Sequence, residues 1–213
     1  MIIPTYEQAK QYEKDYTYIP VCREILADDV TPILMLRKLA ALDGQYFLLE
    51  SVEGGNLGRY SFLGYHPKLS VSCKNGVVKV KENGMVRILP GKPKEALQSL
   101  LEQYRSPQIE GLPTFTGGLV GYFAYETIQY AEPKLHIKQS DVNDFELMMF
   151  DKLLAFDQVM HKLCIIVNAR TADGEAGYNK AVEEIDAFIE TLRITEPIPY
   201  EKLSLIHISE PTR

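Results

Sequence analysis

Lys68–Pro90 reads KLSVSCKNGVVKVKENGMVRILP, and this stretch decides the fold class. Val78 and Val80 alternate with Lys79 and Lys81. A period of two turns one side of a strand toward a core and the other toward water. Asn75-Gly76 and Asn83-Gly84 cut the stretch into three strands. Asn-Gly readily supplies the two positive φ angles of a tight hairpin turn, so the reading is an antiparallel meander. Upstream, QYFLLESV (Gln45–Val52) and GRYSFLGY (Gly58–Tyr65) read as two more strands, joined through Glu53-Gly54-Gly55-Asn56. TYIPVCREIL (Thr17–Leu26) reads as a strand whose Pro20 suits an edge or a strand start.

Helical signals lie between and around these strands. Pro4-Thr5 precede a short polar helix, YEQAKQYEKD. Thr31 reads as an N-cap with Pro32 at the first helical position, and the helix stops near Asp43-Gly44. Its apolar residues Ile33, Leu36, Leu39 and Ala40 recur at helical spacing. Lys92–Tyr104 reads as a helix with Leu97, Leu100, Leu101 and Tyr104 on one face. FTGGLVGYFAYETI (Phe115–Ile128) is expected to begin as a strand and turn at its glycines; residues 133–144 read as an exposed polar loop. Asp144–Arg170 reads as two or three strands, the last from His161 to Ala169. Thr171–Gly174 opens a final helix with Tyr178, Ala181, Val182, Ile185, Phe188, Ile189 and Leu192 on its apolar face. Helices mixed with antiparallel hairpins give an α+β domain.

The chain has 213 residues, 46% of them hydrophobic and 24% charged, which suits one large domain or a domain with a linker. The formal net charge is −6 with scattered basic residues, which argues against nucleic acid as a partner and against anionic membranes. No apolar run approaches the roughly 20 residues of a membrane span. The start MIIPTYEQAKQYEKD lacks the pattern of a signal peptide, so a cytoplasmic protein is expected. Cys22, Cys73 and Cys164 are far apart, which disfavours disulfides and zinc; Cys22 and Cys164 read as buried small hydrophobes.

No nucleophile elbow, metalloprotease helix or phosphate loop is present, and His66, His136, His161 and His207 stand alone. No catalytic or metal-ligating residue is assigned. Two segments stand out. In FLLESVEGGNLGRYSFLG (Phe47–Gly64), Glu50 and Ser51 end one strand and Arg59, Tyr60 and Ser61 begin the next. Across a hairpin, such polar groups can converge at the rim of an apolar sheet. A carboxylate beside a hydroxyl there suits a zwitterionic amino acid, with Glu50 accepting from its ammonium. The same spacing equally allows a Glu50–Arg59 ion pair that closes the hairpin. The glycines of TGGLVGYFAYE (Thr116–Glu126) do not fit a phosphate loop; close backbone packing or a bulge beside Tyr122 and Tyr125 is the expectation.

LLES, GRYSFLG, GGLVGYFAYE and LLAFDQ, in that order, resemble the amino-terminal domain of anthranilate synthase component I, a family of chorismate-utilising enzymes. The resemblance runs from about Tyr12 to Arg193. It implies two packed antiparallel sheets with flanking helices. It implies conversion of chorismate and glutamine or ammonia to anthranilate and pyruvate, in tryptophan biosynthesis, with magnesium as cofactor and a glutamine amidotransferase subunit, component II, as partner. It implies feedback inhibition by tryptophan, with Leu49, Glu50 and Ser51 in contact with it and Arg59, Tyr60 and Ser61 as further candidates. In the family, the chorismate site, the magnesium carboxylates and the other wall of the tryptophan pocket lie in a following domain. The expected division is therefore a domain over 1–193, truncated before the catalytic part, and a linker with a non-native tail over 194–213, whose SLIHISEPTR resembles vector read-through. Aminodeoxychorismate synthase component I is the nearest alternative. A stand-alone amino-acid sensor and a partner-docking domain are the alternatives of another class.

Overall fold

The computed structural model describes residues 2–50, 58–132, 134–135 and 141–199. Ser51, the Glu53–Asn56 turn and the expected tail lie outside the described residues. Eleven strands and four α-helices follow one another along the described chain: β1 (Ile2–Ile3), α1 (Tyr6–Lys10), β2 (Tyr18–Leu26), α2 (Pro32–Leu42), β3 (Tyr46–Leu49), β4 (Tyr60–Tyr65), β5 (Leu69–Lys74), β6 (Val77–Glu82), β7 (Met85–Leu89), α3 (Pro93–Glu102), β8 (Gly118–Phe123), β9 (Phe145–Phe150), β10 (Lys152–Asp157), β11 (Lys162–Arg170) and α4 (Gly174–Ile194). They form two antiparallel sheets, β1-β2-β11-β10-β4-β3 and β7-β6-β5-β9-β8, with helices outside: the expected α+β fold.

The local signals act as read. Asn75-Gly76 and Asn83-Gly84 both take positive φ, and β5, β6 and β7 pair around them. The Thr31 hydroxyl accepts from the Leu34 amide at 3.1 Å and starts α2. β1 pairs only with Arg23 and Cys22, so at Pro20 β2 has one ladder neighbour, and a residue without an N–H is tolerated.

Alternation then builds the layers. Leu163, Ile165 and Val167 of β11 point to one face of the six-stranded sheet, where α2 and α4 cover them with Met35, Leu39, Ile185 and Phe188. Cys164 and Ile166 point to the other face, where Phe47, Phe150, Ile109 and Leu112 meet them. The rings of Phe47 and Phe150 sit edge-on at 4.8 Å, so the sheets touch through the β8–β9 end of the five-stranded one. The far face of that sheet carries Val71, Val80 and Leu147 against Ala96 and Leu100 of α3. The chain steps between sheets at Asp151, and the Asn168 side chain clamps the step by donating to the carbonyls of Thr116 (2.7 Å) and Asp151 (3.1 Å).

Three readings change. Leu101 is 44% exposed, because the buried row of α3 is Pro93, Ala96 and Leu100; of the expected face, Leu100 is buried and Leu97 and Tyr104 pack beside it. His161 is not in the last strand; it takes φ +50° in the turn before β11. The glycine segment does not turn at its glycines, since β8 runs through Gly121 to Phe123 and a 3-10 turn follows only at Tyr125–Tyr130. Gly121 instead allows close packing: a Cβ there would lie 2.0 Å from the Glu146 carbonyl oxygen of β9.

Candidate functional site

β3 is the edge of the six-stranded sheet, and its ladder with β4 ends where Leu49 meets Phe62. Directly opposed residues share a face. Leu49 therefore lies on the face of Phe62, whose ring packs on Tyr60 (5.8 Å) and edge-on against Phe115 (5.5 Å). Leu49 is 48% exposed, and Tyr60 and Phe62 are half-buried. An apolar and aromatic wall thus stays partly open at the sheet edge, and exposed Glu50 follows it directly.

Arg59 stands at the other end of that wall. Its guanidinium lies 5.0 Å from the centre of the Tyr60 ring. The expected alternative of a Glu50 partner is not what forms. Arg59 donates from Nε (3.0 Å) and Nη2 (2.6 Å) to Asp157 Oδ2, across the β4–β10 ladder. Asp157 Oδ1 accepts from the amides of Val159 (3.1 Å) and Met160 (3.0 Å). Burial alone would raise the Asp157 carboxyl; the guanidinium and these amides outweigh it and hold it below its ordinary range. The same pairing pushes Arg59 up, and burial pushes the Tyr60 phenol up.

Ser61 points to the opposite face. It is fully buried beneath the wall, and its hydroxyl accepts from Gln158 Nε2 at 2.8 Å. The structure thus brings Leu49, Glu50, Arg59 and Tyr60 to one edge and places Ser61 behind them. Phe62, Phe115, Asp157 and Gln158 were not singled out from sequence. Asp157 and Gln158 end the LLAFDQ motif, so the signal was present as a motif without a role.

Two open clefts lie elsewhere. One of about 690 Å³ sits at the junction of the sheets, where Lys68 approaches the stacked rings of Tyr18 and Tyr104. The other, of about 640 Å³, crosses the solvent face of the five-stranded sheet beside Tyr46. Neither is lined by Leu49, Glu50 or residues 59–61. Among the described residues no three His, Cys, Asp or Glu side chains gather where a metal ion could sit. No described helix is long and apolar enough to cross a membrane.

No protein-family model matches the chain. Curated relatives do. Anthranilate synthase component 1 of Acetivibrio thermocellus is 36% identical over 190 residues, which cover 87% of this chain and 38% of that protein. Anthranilate synthase component 1 of Synechocystis sp. is 33% identical over 214 residues, covering 96% of this chain and 42% of that one. The crystal structure of anthranilate synthase component I from Streptococcus pneumoniae shares the fold with a TM-score of 0.53 at 24% identity, over 81% of this chain and 37% of that one. This chain's similarity, along nearly its whole length, is to anthranilate synthase component 1, and it spans about two-fifths of the length of the curated relatives it matches.

Proposed function

We propose that residues 1–193 are the amino-terminal, tryptophan-responsive part of an anthranilate synthase component I. The observation that carries this reading is the wall of Leu49, Tyr60, Phe62 and Phe115, flanked by Glu50 and Arg59, in a chain similar to proteins of that name. An indole ring suits the apolar wall. Glu50, which Ser51 follows in sequence, faces the ligand's ammonium, Arg59 faces its carboxylate, and Ser61 supports the wall from behind.

In the whole protein the reaction takes chorismate and ammonia, the latter drawn from glutamine by component II, to anthranilate and pyruvate. Magnesium and chorismate are held outside the described residues, so no catalytic step is derived for them. The chain alone is expected to form no anthranilate from chorismate, magnesium and ammonium. The blue fluorescence of anthranilate is the readout, and its appearance would place the catalytic groups within this chain. Calorimetry is expected to show weak, stereoselective binding of L-tryptophan, since the family's second wall lies in the following domain; equal binding of both enantiomers would remove the polar contacts from the reading.

A further inference from the structure

We propose that Asp157 and Gln158, which open the β10–β11 turn, are the positioning residues of the tryptophan wall; this rests on the reading of that wall given above. Among the described residues β3 pairs with β4 only from Phe62 onward, and Arg59, Tyr60 and Ser61 lie beyond that ladder. Among the described residues the ladder partner of Tyr60 and Ser61 is β10, at Asp157 and Phe156. Their placement is therefore set from behind, through the turn.

Four hydrogen bonds make that connection. The Gln158 amide donates to the Arg59 carbonyl at 2.9 Å. The Gln158 side chain donates to the Ser61 hydroxyl at 2.8 Å. The Asp157 carboxylate takes the Arg59 guanidinium through Nε and Nη2. Asp157 is suited to anchor: its side chain is 5% exposed and its second oxygen is pinned by two turn amides, whereas the Arg59 side chain is 42% exposed. The anchor fixes the guanidinium beside Tyr60 and leaves Nη1 for the carboxylate of a ligand. Without it, Arg59 would sample many rotamers, and the entropy of ordering it would fall on ligand binding.

Asp157→Asn separates anchoring from folding. The amide oxygen can still accept from Val159 and Met160, but the amide nitrogen meets the guanidinium donor to donor. Gln158→Met keeps the volume and removes the donor to Ser61, and Gln158→Glu restores a partner, because the Ser61 hydroxyl can donate to it. The chain contains no tryptophan, so the fluorescence anisotropy of added tryptophan or indole, excited beyond tyrosine absorption, reports ligand alone. Wild type is expected to prefer L-tryptophan over indole. Asp157→Asn should cut that preference about tenfold, the scale of one charge-assisted hydrogen bond, while indole affinity stays unchanged. Gln158→Met should weaken both ligands, and Gln158→Glu should recover them. Should Asp157→Asn fail to fold, the Gln158 pair decides alone.

An unchanged preference in Asp157→Asn, or Gln158→Glu behaving as Gln158→Met, overturns the positioning role and leaves the pocket standing. No binding of L-tryptophan by wild type up to its solubility overturns the pocket itself, and this inference with it.

Discussion

Replacing Gly121 by alanine tests the glycine position where an added Cβ would meet backbone most closely among those described. β8 pairs only with β9, with Gly121 opposite Leu147. An added Cβ would lie 2.0 Å from the Glu146 carbonyl oxygen and 2.8 Å from the Leu147 Cα, both of them backbone atoms that cannot rotate away. The first contact is about 1.4 Å short of ordinary van der Waals separation, which begins at 3.4 Å. Opening the strands by that much exceeds the slack of an N–H···O bond, whose length varies by only about 0.5 Å. The ladder over Gly118–Phe123 must therefore part locally. Overpacking in a well-packed site costs about 1–3 kcal/mol, and an unyielding backbone puts this case near or above 3 kcal/mol. With a urea m-value of about 2 kcal/mol/M, the unfolding midpoint should fall by about 1.5 M. Gly44→Ala is the control, because nothing lies within 4 Å of its Cβ position; its midpoint should stay level or rise slightly. A Gly121→Ala midpoint within about 0.3 M of wild type would refute the steric reasoning.

Leu100→Ala and Leu101→Ala separate the two readings of α3. Leu100 is buried and Leu101 exposed, so the first should cost about 2–5 kcal/mol and the second less than about 0.5 kcal/mol in the same urea assay. Acid should unfold the protein partly through Asp144. Burial raises this carboxyl, but bonds from the Tyr130 hydroxyl (2.6 Å), the Gly76 amide (3.1 Å) and the Cys73 thiol outweigh it and lower it. Stability from a depressed carboxyl is present above its unfolded value, about 3.9, and is lost as pH falls through the lower folded value. Asp144→Asn should therefore flatten the acid limb below about pH 4, and a limb as steep as wild type would contradict this. Burial and Asp144 also push the Cys73 thiol up to about 12, and Cys22 and Cys164 are buried, so Ellman's reagent should label none of the three in the native protein.

What was legible in the sequence was local. Asn75-Gly76, Asn83-Gly84 and Thr31-Pro32 set turns and a helix start through their own backbone preferences, and each does so in the structure. The sheet order was not legible, because β4 pairs with β10 and β5 with β9 through partners that no neighbouring residue specifies. Arg59 shows the same limit at the site. Spacing offered Glu50 nine residues away, and the fold supplies Asp157 from 98 residues away. Tyr60 and Ser61 look adjacent in sequence, yet the period of two sends one to the open wall and the other into the core. His161 alternates with apolar neighbours as a strand residue would, but the hairpin needs its last loop residue in the left-handed region.

Amide NMR of the labelled chain, titrated with L-tryptophan, tests the central claim most directly. Shifts confined to Leu49, Glu50 and Arg59–Phe62, with the neighbours of Phe115, are the predicted result. Shifts centred instead on the cleft of Lys68 and Tyr104, or a spectrum unmoved by saturating tryptophan, would contradict it.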